Sequence, residues 1–268
     1  MANIALQSAA SGLSALSTRL DVIANNLANA NTTGFKASRA NFEDLLYIER
    51  KQPGVENANG DQRPTGLFIG LGVEVSGTQL DFRQGSPITT NQPLDLLIDG
   101  PGFFQVAVED ELGGGTAYTR AGNFTLNADG EIVLANDQGR RLEPVIQLDD
   151  NIIQTTIDPN GRIFVLRPGA TDLEEVGQLE LATFVNPTGL RQIGESLYIE
   201  SAASGPPIVG EPGTESRGSL RQGMLESSNV DPTTELINLI RTQRAFELNS
   251  QVIRAADESL QQIGQLRR

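Results

Sequence analysis

Apolar residues recur at helical spacing at both ends of the chain and at strand spacing between them. Near the N-terminus, Leu6, Leu13, Leu20 and Leu27 repeat every seven residues, with Ala9, Leu16, Ile23 and Ala30 as a second series. This 3-4 spacing predicts one seam along a helix of about 27 residues, roughly 40 Å long. The opposite face carries Ser, Ala and Asn, and Arg19 and Asp21 are the only charges in this stretch. A solvated helix face normally carries charge. The uncharged back therefore predicts packing on several sides; an ordinary amphipathic core helix is the plainer alternative.

The C-terminal stretch opens with Asp231 as a plausible N-cap and Pro232 at the first helical position. Leu239, Phe246, Ile253 and Leu260 repeat every seven residues, alternating with Thr242, Asn249, Ala256 and Ile263. Asn at a seam position is costly when buried and typically fixes register. The candidate assembly seam is therefore Leu6, Leu13, Leu16, Leu20, Ile23 and Leu27 on the first helix. On the second it is Leu239, Phe246, Asn249, Ile253, Leu260 and Ile263. Two such helices either staple a single domain together or pack with copies of themselves.

Between the helices, short β-branched runs alternate with turn residues. Strands are predicted at Leu94–Ile98, from Phe103 to Val108, and at Ile152–Ile157, Ile163–Leu166 and Gln178–Phe184. Asn127–Gly130 and Asp158–Gly161 read as hairpin turns, because neither has the spaced ligand set and closing Glu of a calcium loop. Gly113–Gly115 reads as a hairpin tip and Ser201–Ser216 as a surface loop. From Leu46 to Gly66 no period survives, and the segment reads as an extended arm carrying Tyr47, Arg50, Pro53, Gly54 and Pro64. The predicted class is α+β. Residues 1–46 and 230–268 form helices that pair as a coiled-coil-like layer, 47–66 an arm, and 67–229 a central all-β domain.

Composition narrows the chemistry. The 268 residues include no Cys and no His. Disulfides, thiol catalysis, Cys/His zinc sites and a Ser-His-Asp triad are excluded. Adjacent acids such as Asp149-Asp150 and Glu174-Glu175 read as solvated loop charges, so no catalytic, cofactor or metal residue is assigned and no cofactor is expected. The formal net charge of −14 argues against nucleic acid or an anionic membrane as partner. No run approaches the roughly 18 apolar residues of a membrane span. No basic n-region with an apolar run reads as a secretory signal.

Three strings resemble the bacterial flagellar rod and hook family. One runs from Ala9-Ala10-Ser11-Gly12 through Leu20-Asp21-Val22-Ile23-Ala24-Asn25-Asn26-Leu27 to Asn31-Thr32-Thr33-Gly34-Phe35-Lys36. The second is Ile98-Asp99-Gly100-Pro101-Gly102-Phe103-Phe104-Gln105-Val106 with Tyr118-Thr119-Arg120. The third is Ser227-Ser228-Asn229-Val230 leading to Arg244-Ala245-Phe246-Glu247. Ala121, where the family often places Asp, and the first residues, Met1–Leu6, depart from the pattern. Tyr47–Gly54 resembles the extra segment of distal-rod subunits.

The resemblance implies a structural subunit of a helical tube, with end helices inside and β-domain outside. It implies assembly with itself, with proximal rod and hook subunits and within a ring bushing. It also implies export through the flagellar apparatus without a cleaved signal, and a place in the basal body spanning the periplasm. A proximal rod or hook subunit is the alternative within the class; a monomeric glycan-binding β-domain is the alternative outside it.

Overall fold

The computed structural model describes residues 2–54, 64–109, 113–149, 152–169 and 172–266, and its class is α+β. The chain divides into two units. One comprises Met1–Ala28, Ser38–Gln79 and Asp231–Arg268, the other Asn29–Ala37 and Leu80–Val230. The chain therefore passes between them at 28/29, 37/38, 79/80 and 230/231.

The first unit is built on α1 (Ala2–Ala28) and α2 (Pro232–Leu266). The start of α2 has a local cause. The Asp231 carboxylate accepts the Thr233 N–H at 3.0 Å and the Thr234 hydroxyl at 2.7 Å, while Pro232 gives up no N–H that the first turn needs. These bonds, Thr234's first, hold the Asp231 carboxyl below its ordinary range. Asn26 meets Glu235, and Gly12 meets Asn249. The two helices thus pack antiparallel.

Four strands complete this unit. β1 (Ser38–Asp44) pairs with β4 (Val73–Leu80), and β2 (Tyr47–Lys51) pairs antiparallel with β3 (Leu67–Gly70). The expected arm thus begins as a strand. Its alternation is invisible in sequence because Tyr47, Glu49 and Arg50 are all exposed. Residues 55–63 of the arm lie outside the described residues. Strands β3 and β4 pair with residues 38–51, so the stretch from 67 to 79 packs with the helices rather than with the central β-domain.

The second unit is β-rich. Its largest sheet has five strands in the order 142–143, 104–107, 116–119, 197–199 and 191–194, all antiparallel. Asn127–Gly130 closes a hairpin because the Asn127 side-chain oxygen accepts the N–H groups of Asp129 and Glu131, at 3.0 and 2.8 Å. Asp158–Gly161 closes another, with Gly161 at φ +84. The predicted loop Ser201–Ser216 holds a short strand, Ile208–Gly210, paired with Leu181–Thr183. One apolar core includes Leu96, Phe104, Val106, Ile163 and Leu181. A second, aromatic cluster gathers Phe103, Tyr118, Phe184 and Tyr198, with Phe82 packed against it. Its rings meet edge to face at 4.8–6.1 Å.

Candidate functional site

Two sites stand out, one in each unit. The first is the helix pair. Of the predicted seam, Ile23 is buried, while Leu6, Leu13, Leu16, Leu20, Leu27, Leu239, Asn249 and Ile253 are half-buried. Phe246 and Leu260 stay exposed, and the Ile263 side chain lies outside the described residues. The line most deeply buried on α1 is Ala9, Gly12, Ala15, Ile23 and Asn26. At about 100° per residue it lies roughly 90° around the helix from the Leu6–Leu13–Leu20–Leu27 seam. Small residues every third position let α2 approach closely, and at Gly12 a Cβ would stand 2.8 Å from the Asn249 amide nitrogen. The small triplet was visible in sequence, but the leucine repeat is the louder signal.

The uncharged back of α1 is met partly by its own unit. The Ser11 hydroxyl accepts the Val73 N–H at 3.2 Å. The Asn26 side chain brackets Ser38, donating at 2.8 Å and accepting at 3.0 Å. What this packing leaves open is on α2. Leu236, Ile237, Ile240, Leu248 and Val252 are 45–62% exposed. Leu236, Ile237 and Ile240 project on the side of α2 opposite Thr242 and Asn249, which face α1, while Leu248 and Val252 lie on the flank, about 110° and 70° around the helix from that pair. The helix has two apolar faces, and the unit covers one.

The arm residues Tyr47, Arg50, Pro53, Gly54 and Pro64 are all exposed. With Leu46 at 83%, Tyr47 at 58% and Phe68 at 51%, the β2–β3 hairpin also presents apolar surface.

The second site is a buried polar knot within the β-rich unit. Lys36, with no exposed side-chain surface, donates to Glu226 Oε1 at 2.5 Å and to the Arg83 carbonyl at 2.8 Å. The same Glu226 oxygen accepts the Gly85 N–H at 2.8 Å. The other oxygen faces Arg120 at 3.4 Å, and Arg120 also donates to the Gly100 carbonyl at 2.8 Å and lies over the Phe103 ring. Burial pushes the Lys36 ammonium and the Arg120 guanidinium below their ordinary pKa values, and Glu226 opposes both shifts. Three residues away, Asn229 accepts the Ala37 N–H at 2.7 Å and donates to the carbonyls of Asp81 at 2.7 Å and Arg83 at 3.1 Å. Asp81 N–H bonds the Ala37 carbonyl at 2.8 Å, and Gly34 N–H the Glu226 carbonyl at 2.9 Å. The segments 34–37, 81–85 and 226–229 are thereby laced together.

The knot explains why the sequence strings hold these residues. Gly34 sits at φ +68, and a Cβ there would meet the Arg120–Ala121 backbone at 2.5–2.8 Å. Only glycine fits. Ala121 is buried in the apolar core. Lys36, Arg120 and Asn229 stand in the three quoted strings; Glu226, their shared partner, lies just outside and carries no sequence signal of its own.

Comparison with known proteins follows the same three segments. Residues 6–36 match the family described as flagella basal body rod protein, 97–165 the flagellar hook protein FlgE/F/G D1 domain, and 221–266 the flagellar basal body rod FlgEFG protein C-terminal. The flagellar basal-body rod protein FlgG of Buchnera aphidicola subsp. Baizongia pistaciae is 44% identical over 98% of this chain and 99% of its own length. This chain belongs to the FlgG family of flagellar basal-body rod proteins. Caulobacter vibrioides offers an internal contrast. Its FlgG is 42% identical over 98% of this chain and 99% of its own length, whereas its rod protein FlgF is 35% identical over 85% and 83%. Within one organism the likeness is fuller to FlgG. The family is structural, and the chain is a structural protein rather than an enzyme.

Proposed function

We propose that this chain is a subunit of the flagellar distal rod, polymerising into a rigid tube that carries torque from the motor to the hook. The observation that carries this is the second apolar face of α2. Half-exposed Leu236, Ile237, Ile240, Leu248 and Val252 each stand to gain on the order of 1 kcal/mol when covered. A helix of a neighbouring copy is the cover that a repeating tube supplies at every subunit. The end helices then pair across copies as a coiled-coil-like layer. Leu6, Leu13, Leu20, Leu27, Phe246 and Leu260 lie along or beside the intrachain contact, where a third helix would reach them. The arm, residues 47–66, bridges neighbours and resists bending. Its exposed Tyr47, Arg50, Pro53, Gly54 and Pro64 support that role. The further partners are proximal rod and hook subunits, a ring bushing and the flagellar export apparatus. The rod spans the periplasm.

The test is a pair of charges on the open face, Ile237→Glu with Ile240→Glu. Sedimentation should show the variant as a monomer at concentrations where the parent chain polymerises, with the β-domain NMR spectrum unchanged. Polymers indistinguishable from the parent's would overturn the reading.

A further inference from the structure

Beside the knot, a cavity of about 310 Å³ opens in the β-rich unit. Its wall is mostly apolar, formed by Phe82, Phe103, Phe184 and Pro187, with Gln84 and Arg120 contributing polar groups. We propose that this cavity is a docking pocket for an acidic side chain of a second copy of the chain.

The argument starts from a charge imbalance. The knot sets two cations, Lys36 and Arg120, against one carboxylate, Glu226; Asp81, which also acts on Lys36, is matched by its own partner Arg83. All three side chains of the knot are no more than 5% exposed. Of the three, Arg120 lines the cavity, and its Nε is buried with no hydrogen-bond partner among the described residues. An excess positive charge in a poorly polarisable setting is expensive, and its field is weakly screened. An anion placed in the cavity meets that field. The methylene stem of an acidic side chain would lie against Phe82 and Phe184, which line the cavity and which a bare inorganic ion leaves uncovered. Both halves of a Glu or Asp side chain are therefore recognised. Copies of this chain are a dense source of such groups, with 34 Asp and Glu against 20 Lys and Arg. Charge complementarity thus favours another copy as the occupant. The proposal rests on the self-assembly put forward above.

Two measurements test it. In the first, the monomeric full chain is titrated with benzoate and with uncharged benzyl alcohol, followed by NMR. Saturable shifts at Phe82, Phe184 and the Arg120 side chain are expected, with the alcohol binding at least about tenfold more weakly. Absence of benzoate binding, or equal binding of the alcohol, overturns the pocket. In the second, a photoreactive benzoyl-phenylalanine replaces Pro101, which is exposed at the rim. Irradiated polymers should cross-link to a peptide of a second copy beside an Asp or Glu, and changing that acid to its amide should remove the cross-link. Polymers that form without such a cross-link overturn the proposal and leave self-assembly standing. A chain that never polymerises sinks the assembly reading, while the benzoate titration still decides the pocket.

Discussion

At the scale of single residues, Glu226 outweighs either of its cations. Removing Glu226 leaves Lys36 and Arg120 buried without an ion-pair partner, only the more distant Asp81 still favouring the Lys36 charge, and breaking a buried pair in this way costs about 3–5 kcal/mol. Removing Lys36 leaves Glu226 with Arg120 and the Gly85 N–H, a balanced pair. The Arg83 carbonyl then still receives Asn229. The loss at Lys36 is limited to about 1–3 kcal/mol. Denaturant unfolding should therefore rank Glu226→Ala well below Lys36→Met in stability. Equal losses would mean that the charge count is not what matters. The Arg83–Asp81 pair is the contrast: Arg83 is 83% exposed, and Arg83→Ala should change stability by less than about 1 kcal/mol.

At the scale of elements, α2 carries an acid-sensitive start. The folded pKa of Asp231 is depressed, so its capping contribution is present above the ordinary carboxylate value of 3.8 and is lost as pH falls through the folded value. Circular dichroism should show α2 fraying in acid, and Asp231→Asn, which keeps an acceptor that does not titrate, should flatten this part of the profile. The contact between α1 and α2 gives a second prediction. Alanine is normally better than glycine in a helix by about 1 kcal/mol. At Gly12 the added methyl meets Asn249, so Gly12→Ala alone should bring no gain. Combined with Asn249→Ala, the gain should reappear as a coupling of about 0.5–3 kcal/mol in a thermal-unfolding double-mutant cycle. Additive changes would remove the Gly12–Asn249 contact as the register-setting feature.

These elements also mark how far the sequence was legible. Helix ends, the Asp231 cap and the two hairpin turns rest on bonds within a few residues, and local pattern reports such bonds directly. The deepest line of α1 does not, because a heptad repeat states which residues are apolar and not which neighbour arrives first. Here β4 and α2 come to Ser11 and Gly12 and turn the leucines toward the edge. The strand at 47–51 was hidden for a related reason: a ribbon exposed on both faces needs no alternation. Glu226 was invisible because its partners are 106 and 190 residues away.

At the scale of the whole molecule, every covalent path between the two units runs through four crossings of the chain. Three of them leave the β-rich unit from the segments that Asn229 binds: Ala37, Asp81 and Arg83 on one side, and residue 230 beside Asn229 itself. Load entering the β-rich unit along the backbone at these three crossings meets laced segments of that unit rather than separate strands. Asn229→Ala removes one accepted and two donated hydrogen bonds and should free the Ala37 amide, raising its hydrogen-exchange rate about tenfold or more. Asn229→Asp separates the parts of this effect: it keeps the acceptor for Ala37 and loses both donations to Asp81 and Arg83. Ala37 should then stay protected while the Asp81–Gly85 segment loosens. In assembled tubes both variants should lower the persistence length seen by electron microscopy, the alanine variant more. Tubes of unchanged stiffness with a freed Ala37 amide would show that the junction shapes the subunit without carrying the load.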